Sequence, residues 1–94
     1  MFIYSVWDSI CLEIGQKYKT ITISDILKYD KDINWIAIKH DVETNVSKAL
    51  SLAQIENKYN IQATYYVQAD LVNANYKILQ EIQSLGHEVT YHYD

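Results

Sequence analysis

The sequence contains no proline, only two glycines and a single cysteine among its 94 residues. A chain so poor in the residues that punctuate turns favours regular helices and strands over a loop-rich fold. One cysteine, Cys11, excludes an intramolecular disulfide framework and is consistent with a reducing compartment. It lies in an amphipathic run with no cation nearby to lower its pKa, so a buried structural thiol is expected rather than a nucleophile. The net charge of −4 argues against a nucleic-acid partner, which would call for a basic face. The N-terminus has no basic leader region, and Asp8 and Glu13 interrupt its apolar run. Neither a signal peptide nor a transmembrane segment is expected, which makes the cytoplasm the default location and removes the membrane as a partner. There is no glycine-rich phosphate loop, P-loop lysine or Cys-x-x-Cys pair. Ser5, Ser9, Ser47 and Ser51 fall on helical segments without a nucleophile elbow.

What is present is globular: 49% hydrophobic and 21% charged residues, enough for one small domain or part of a larger one. Nine tyrosines could line a sugar cleft, but half-buried rings on strands and helices account for them more simply. Residues 4–17 read as a helix with an apolar stripe of Val6, Ile10, Cys11 and Ile14, and Gly15 near its stop. Thr20-Ile21-Thr22-Ile23 is β-branched and extended. Ser24 or Asp25 could cap a short helical turn through Ile26 and Leu27, followed by a polar connection over residues 29–34. Trp35-Ile36-Ala37-Ile38 is a continuous apolar run, the mark of a strand covered on both faces. Thr44 or Asn45 caps a helix to about Tyr59 with Val46, Ala49, Leu50 and Ala53 inward, and Asn60 supplies a left-handed stop. A strand over residues 61–68 follows. Asn73 or Asn75 then opens a helix burying Ile78, Leu79, Ile82 and Leu85, Gly86 ends it, and residues 87–93 form a third strand. The order from residue 35 is β-α-β-α-β, which implies an α/β fold with a parallel sheet and ligand chemistry at the C-terminal strand ends.

Two acid- and imidazole-bearing segments fall at those ends, His40-Asp41-Val42-Glu43 and Gly86-His87-Glu88-Val89-Thr90-Tyr91-His92. In an extended chain Asp41 and Glu43 share a face, with Cα atoms about 6.5 Å apart, and His40 points the other way. One carboxylate could then hold a cation while the other takes a proton from water. The plainer alternative is that both acids begin a loop and complement the dipole of the helix that follows. His87 and His92 are five residues apart and face opposite sides of a regular strand. His92 is the better ligand candidate, and His87 is expected to play a structural hydrogen-bonding role. A catalytic zinc usually takes three protein ligands, and Glu43 and His92 supply two.

Three segments in this order, Ile38-Lys39-His40-Asp41-Val42-Glu43, then residues 55–66, then Leu85 through Tyr93, resemble the NodB-homology polysaccharide deacetylases. The resemblance is to the branch whose first motif reads His-Asp-Val-Asp and whose second reads Gly-His-Glu-(Ile/Val)-x-Tyr-His-Tyr. It implies a distorted (β/α) barrel, a divalent metal that is commonly zinc, and hydrolysis of an acetyl group on an amino sugar or glycan. It assigns Asp41 as the general base, Glu43 and His92 as metal ligands, and His87 as a non-ligand. Glu43 stands where aspartate is usual, and its extra methylene reaches farther. On this reading the chain is a single partial domain, residues 1–34 a helical leader and residues 35–94 the first three β/α units. Such a barrel takes about 200 residues or more, so this length alone is expected to be inactive. The rival expectation is a non-catalytic α/β module that associates, with itself or another chain, through an exposed sheet edge.

Overall fold

A computed structural model of the chain describes residues 2–28 and 34–92, with Phe2, Ile3, Leu27 and His92 described by their backbone alone. It is a small α/β domain of helices and parallel strands. Helix α1 spans Phe2–Lys17, strand β1 Lys19–Ile21, and a 3-10 helix Ile23–Lys28. After residues 29–33, which lie outside the described residues along with most of the expected polar connection, β2 spans Trp35–Ala37 and β3 Lys39–Val42. Helix α2 (Val46–Lys58), β4 (Thr64–Gln68), a 3-10 turn (Ala69–Leu71), α3 (Tyr76–Ser84) and β5 (Glu88–His92) complete the order. Among the described residues no helix is long and apolar enough to cross a membrane.

The apolar run expected as a strand, residues 35–38, gives β2, which ends before Ile38, and a second strand, β3, begins just after it. β2 pairs in parallel with β1, while β3 pairs with β4 and β4 with β5 in a separate parallel sheet of order β3-β4-β5. The Ile38 carbonyl accepts from Thr64 N at 2.9 Å and so begins the second ladder where the first ends. Helices α2 and α3 make the crossovers that parallel neighbours require. Asn45 caps α2 by accepting from Lys48 N at 3.1 Å, which settles the choice between Thr44 and Asn45. At its other end Asn60 takes a φ of 58°, the left-handed conformation that stops a helix, and Ile61 N closes back on the Glu56 carbonyl.

The core lies between the β3-β4-β5 sheet and the helices. Tyr65 and Val67 of β4 are fully buried, with Ala53 of α2, Ile82 of α3 and Cys11 of α1. Each large aliphatic or aromatic side chain so enclosed stabilises the fold by roughly 1.5–3 kcal/mol. Helix α1 meets this core on a face turned from the expected one. Cys11 is buried and Trp7 and Ile14 half-buried, whereas Val6 and Ile10 are each 42% exposed. The spacing 7, 11, 14 is as helical as 6, 10, 14, and the tryptophan side wins because it has a buried partner, described below. The helix ends at Lys17 as expected, two residues after Gly15. Gly15 lies inside α1, where a Cβ would come within 3.1 Å of the Tyr59 carbonyl oxygen, so its smallness lets α1 approach the end of α2.

At that approach the Asp8 carboxylate accepts from Lys58 Nζ at 2.6 Å and from the Tyr59 hydroxyl. The Lys58 and Tyr59 bonds hold the Asp8 carboxyl below the usual carboxylate range. A depressed folded-state pKa adds stability above the unfolded value, and that stability is lost as pH falls through the folded one. Acid unfolding below about pH 4 should therefore be shallower in Asp8→Asn than in the parent when followed by circular dichroism. Gly86 closes α3 with φ at 95°, and a Cβ there would meet nothing nearer than 4.0 Å. Gly86→Ala should thus cost about 1 kcal/mol from backbone strain alone, read as a lower urea midpoint with an unchanged slope.

Candidate functional site

Alternation along β3 sends Lys39 and Asp41 to one face of the sheet and His40 and Val42 to the other, where the helices lie. The parallel register puts Asp41 level with Tyr66, and Tyr66 level with Thr90. Asp41 thus lies on the face away from the helices, opposite to His40 and near the C-terminal end of its strand. Its side chain is 57% exposed and lies 3.3 Å from Lys39 Nζ, which also sits 4.7 Å over the Tyr66 ring. An ion pair so open to water contributes little stability. It does keep a cation beside this carboxylate.

Glu43 follows Val42 in the bend ahead of α2 and is exposed. The row of Val42 runs through Val67 to Tyr91, and the next row holds Gln68 opposite His92. A residue level with Glu43 on β5 is two strand spacings away, about 9.6 Å between backbones. The backbone of His92 ends β5 in that row; its ring lies outside the described residues. Asp41 and Glu43 both line a groove of about 350 Å³ beside β3, which Lys48 of α2 also borders. Among the described residues no three histidine, cysteine, aspartate or glutamate side chains gather where they could hold a metal ion. A catalytic zinc needs three protein ligands, so the described residues fall short of that set.

The densest polar cluster lies on the other face of β3. Glu56 of α2 is fully buried. Its Oε1 accepts from the Tyr65 hydroxyl at 2.5 Å, and its Oε2 accepts from His40 Nε2 at 2.5 Å and from Trp7 Nε1 at 3.1 Å. The His40 ring stacks on Tyr65 with centroids 4.6 Å apart and meets Trp7 edge-on at 5.7 Å. Burial, then the Glu56 charge and its hydrogen bond, push the Tyr65 phenol well above its ordinary pKa. Burial first and the Glu56 charge second push the Cys11 thiol up to about 12, which makes it the inert structural cysteine expected from its surroundings.

His87 is buried beside this cluster but is not part of its proton chemistry. Its Nδ1 accepts from Ala63 N at 3.0 Å, and its Nε2 faces the Ala53 carbonyl at 3.0 Å and donates to it. Nδ1 therefore carries no proton, and its 3.8 Å approach to Glu56 Oε1 is a neighbour contact rather than an ion pair. Both ring nitrogens are committed to backbone, holding α2 and the start of β5 to the segment ahead of β4.

No family model, curated protein or solved structure matches the chain. Its chemistry rests on its own residues.

Sequence reasoning singles out Asp41, Glu43 and His92 as candidates and does not single out Glu56. A signal was available: the buried positions of α2 are Val46, Ala49, Ala53 and Glu56, so the apolar stripe ends on an acid at the same helical spacing. A carboxylate on a core stripe must find donors, and Trp7, His40 and Tyr65 are those donors. Tyr65→Phe removes one donor without changing ring volume. It should cost about 1.5–3 kcal/mol, the worth of a buried hydrogen bond to a charged group, measured by urea unfolding.

Proposed function

We propose that the chain carries the first three β/α units of a metal-dependent carbohydrate deacetylase of the NodB-homology type, with β3, β4 and β5 as consecutive staves of a distorted barrel. The observation that carries this reading is positional. The segments bearing the His-Asp-Val-Glu and Gly-His-Glu-Val-Thr-Tyr-His motifs become parallel strands of one sheet, separated by a single strand. Asp41 and the strand-end row of His92 thus belong to the same end of the same sheet, where α/β enzymes gather their chemistry. Asp41 is the carboxylate that takes the proton from a water attacking the acetyl carbonyl, and Lys39 at 3.3 Å holds it in place. Glu43 and His92 are the proposed ligands of a divalent metal, zinc by the resemblance. The substrate class is an acetylated amino sugar or glycan.

A second reading has its own support. Strands β3 and β5 occupy the outer positions of the three-stranded order, and an edge strand can pair with a further strand. On that reading the chain is a non-catalytic module that associates, with itself or another chain, through an edge.

Zinc titration by calorimetry tests the first. Glu43→Gln and His92→Asn should each weaken zinc binding about tenfold or more, while Asp41→Asn leaves it close to the parent. Equal zinc affinity across all three variants would remove the assignment of ligands. A chain that binds no zinc and sediments as a stable dimer favours the second reading.

A further inference from the structure

In the Glu56 cluster Tyr65 is fully buried like Glu56, while Trp7 and His40 each keep part of their surface open. Glu56 is fully buried, and the His40 side chain keeps 20% of its surface exposed. Within that ring, Nε2 is committed to the Glu56 carboxylate at 2.5 Å. One face is covered by Tyr65 and one side by Trp7. Nδ1 has no partner among the described residues. In a neutral ring, a carboxylate that holds one nitrogen as N–H leaves the other as an unprotonated acceptor, the arrangement by which proteins present an imidazole to a ligand. His40 also lines the groove that carries Asp41 and Glu43.

The groove narrows the choice of ligand. Its charges balance, with Lys39 and Lys48 against Asp41 and Glu43, so neither a strong anion nor a strong cation is favoured. Ala49 and Leu52 add an apolar strip from α2 to the same wall. About 350 Å³ is within the size range of small-ligand sites. A neutral, hydroxyl-rich ring with an apolar face fits these walls, which is the description of a sugar. We propose that Nδ1 of His40 is a sugar-binding acceptor that takes a hydrogen bond from a ligand hydroxyl, and that Glu56 is the positioning residue that keeps Nδ1 bare. Asp41 and His40 then serve one groove from opposite faces of β3, the first toward the reacting acetyl group and the second toward the sugar ring. The inference rests on the carbohydrate reading above and adds to it a binding group from the helix side of the sheet.

The experiment is a titration of the 94-residue chain with N,N′-diacetylchitobiose, followed through the histidine ring nitrogens by long-range proton–nitrogen correlation. The expected result is His40 as the Nε2–H tautomer before addition, with its Nδ1 resonance moving as the sugar saturates. His40→Gln keeps an amide within reach of Glu56 but has no acceptor at the Nδ1 position. It should bind the sugar about tenfold more weakly, the worth of one hydrogen bond, with the far-ultraviolet spectrum of the parent. If His40→Gln does not fold, the Nδ1 response of the parent chain decides. A proton on Nδ1, a silent Nδ1 during sugar binding, parent-like affinity in His40→Gln, or no sugar binding by the parent would each overturn the proposal. Zinc titration of the same sample separates the two readings. Zinc binding with a silent His40 ends this inference alone, and a responsive His40 without zinc binding ends the metal assignment alone.

Discussion

The architecture depends on one buried negative charge. A carboxylate taken out of water is tolerated only when donors surround it, and Glu56 draws its donors from three separate elements. Trp7 comes from α1, His40 from β3 and Tyr65 from β4, and Glu56 itself belongs to α2. The requirement therefore settles the rotation of α1, the lateral placement of α2 and the pairing of β3 beside β4. Apolar contacts supply most of the favourable free energy, but many packings of similar aliphatic area would serve them equally well. The polar requirement admits far fewer.

This explains which parts of the fold were legible in the sequence. Elements marked by their own chemistry are readable: a cap at Thr44 or Asn45, the left-handed Asn60, the closing Gly86, and the alternation of strands and helices after residue 35. What depends on a partner elsewhere in the chain is not. The stripe of α1 holds at Cys11 and Ile14 but not at Val6 and Ile10, which fit helical spacing as well as Trp7 does, and only the distant Glu56 separates the two choices. Gly15 reads only as a residue near the helix end, because its actual duty, admitting the Tyr59 carbonyl, involves a residue far along the chain. The apolar run at residues 35–38 gives no hint that the chain breaks its strand at Ile38 and resumes it at Lys39, since nothing local says that the neighbour changes from β1 to β4.

The candidate site was legible in a similar way. Asp41 and Glu43 stand out by their spacing at a strand end, and β3 alternation turns Asp41 away from His40 as expected, while Glu43 falls in the bend just past the strand. Spacing also separated His87 from His92, and His87 proves to be spent on backbone at both nitrogens. His40 was set aside because alternation turns it from the acids. That geometry is real, and it is also what brings His40 to Glu56. A strand end in a thin sheet has two faces, and a groove along its edge can be reached from both.

The division at Ile38 has a consequence for how the chain tolerates change. Residues 35–42 serve as a common ruler, measured by β1 over the first part and by β4 over the second. Inserting or deleting one residue before Ile38 would put the two measurements out of step, turning the side chains of one ladder over while the other stayed in place. The 3-10 helix adds a second constraint, because Ile23 N donates to Thr64 Oγ1 and ties the exit of β1 to the entry of β4. Length variation in this part of the chain is thus confined to the stretch between β1 and β2, and the spacing from Trp35 to Glu43 is as much a structural dimension as a motif.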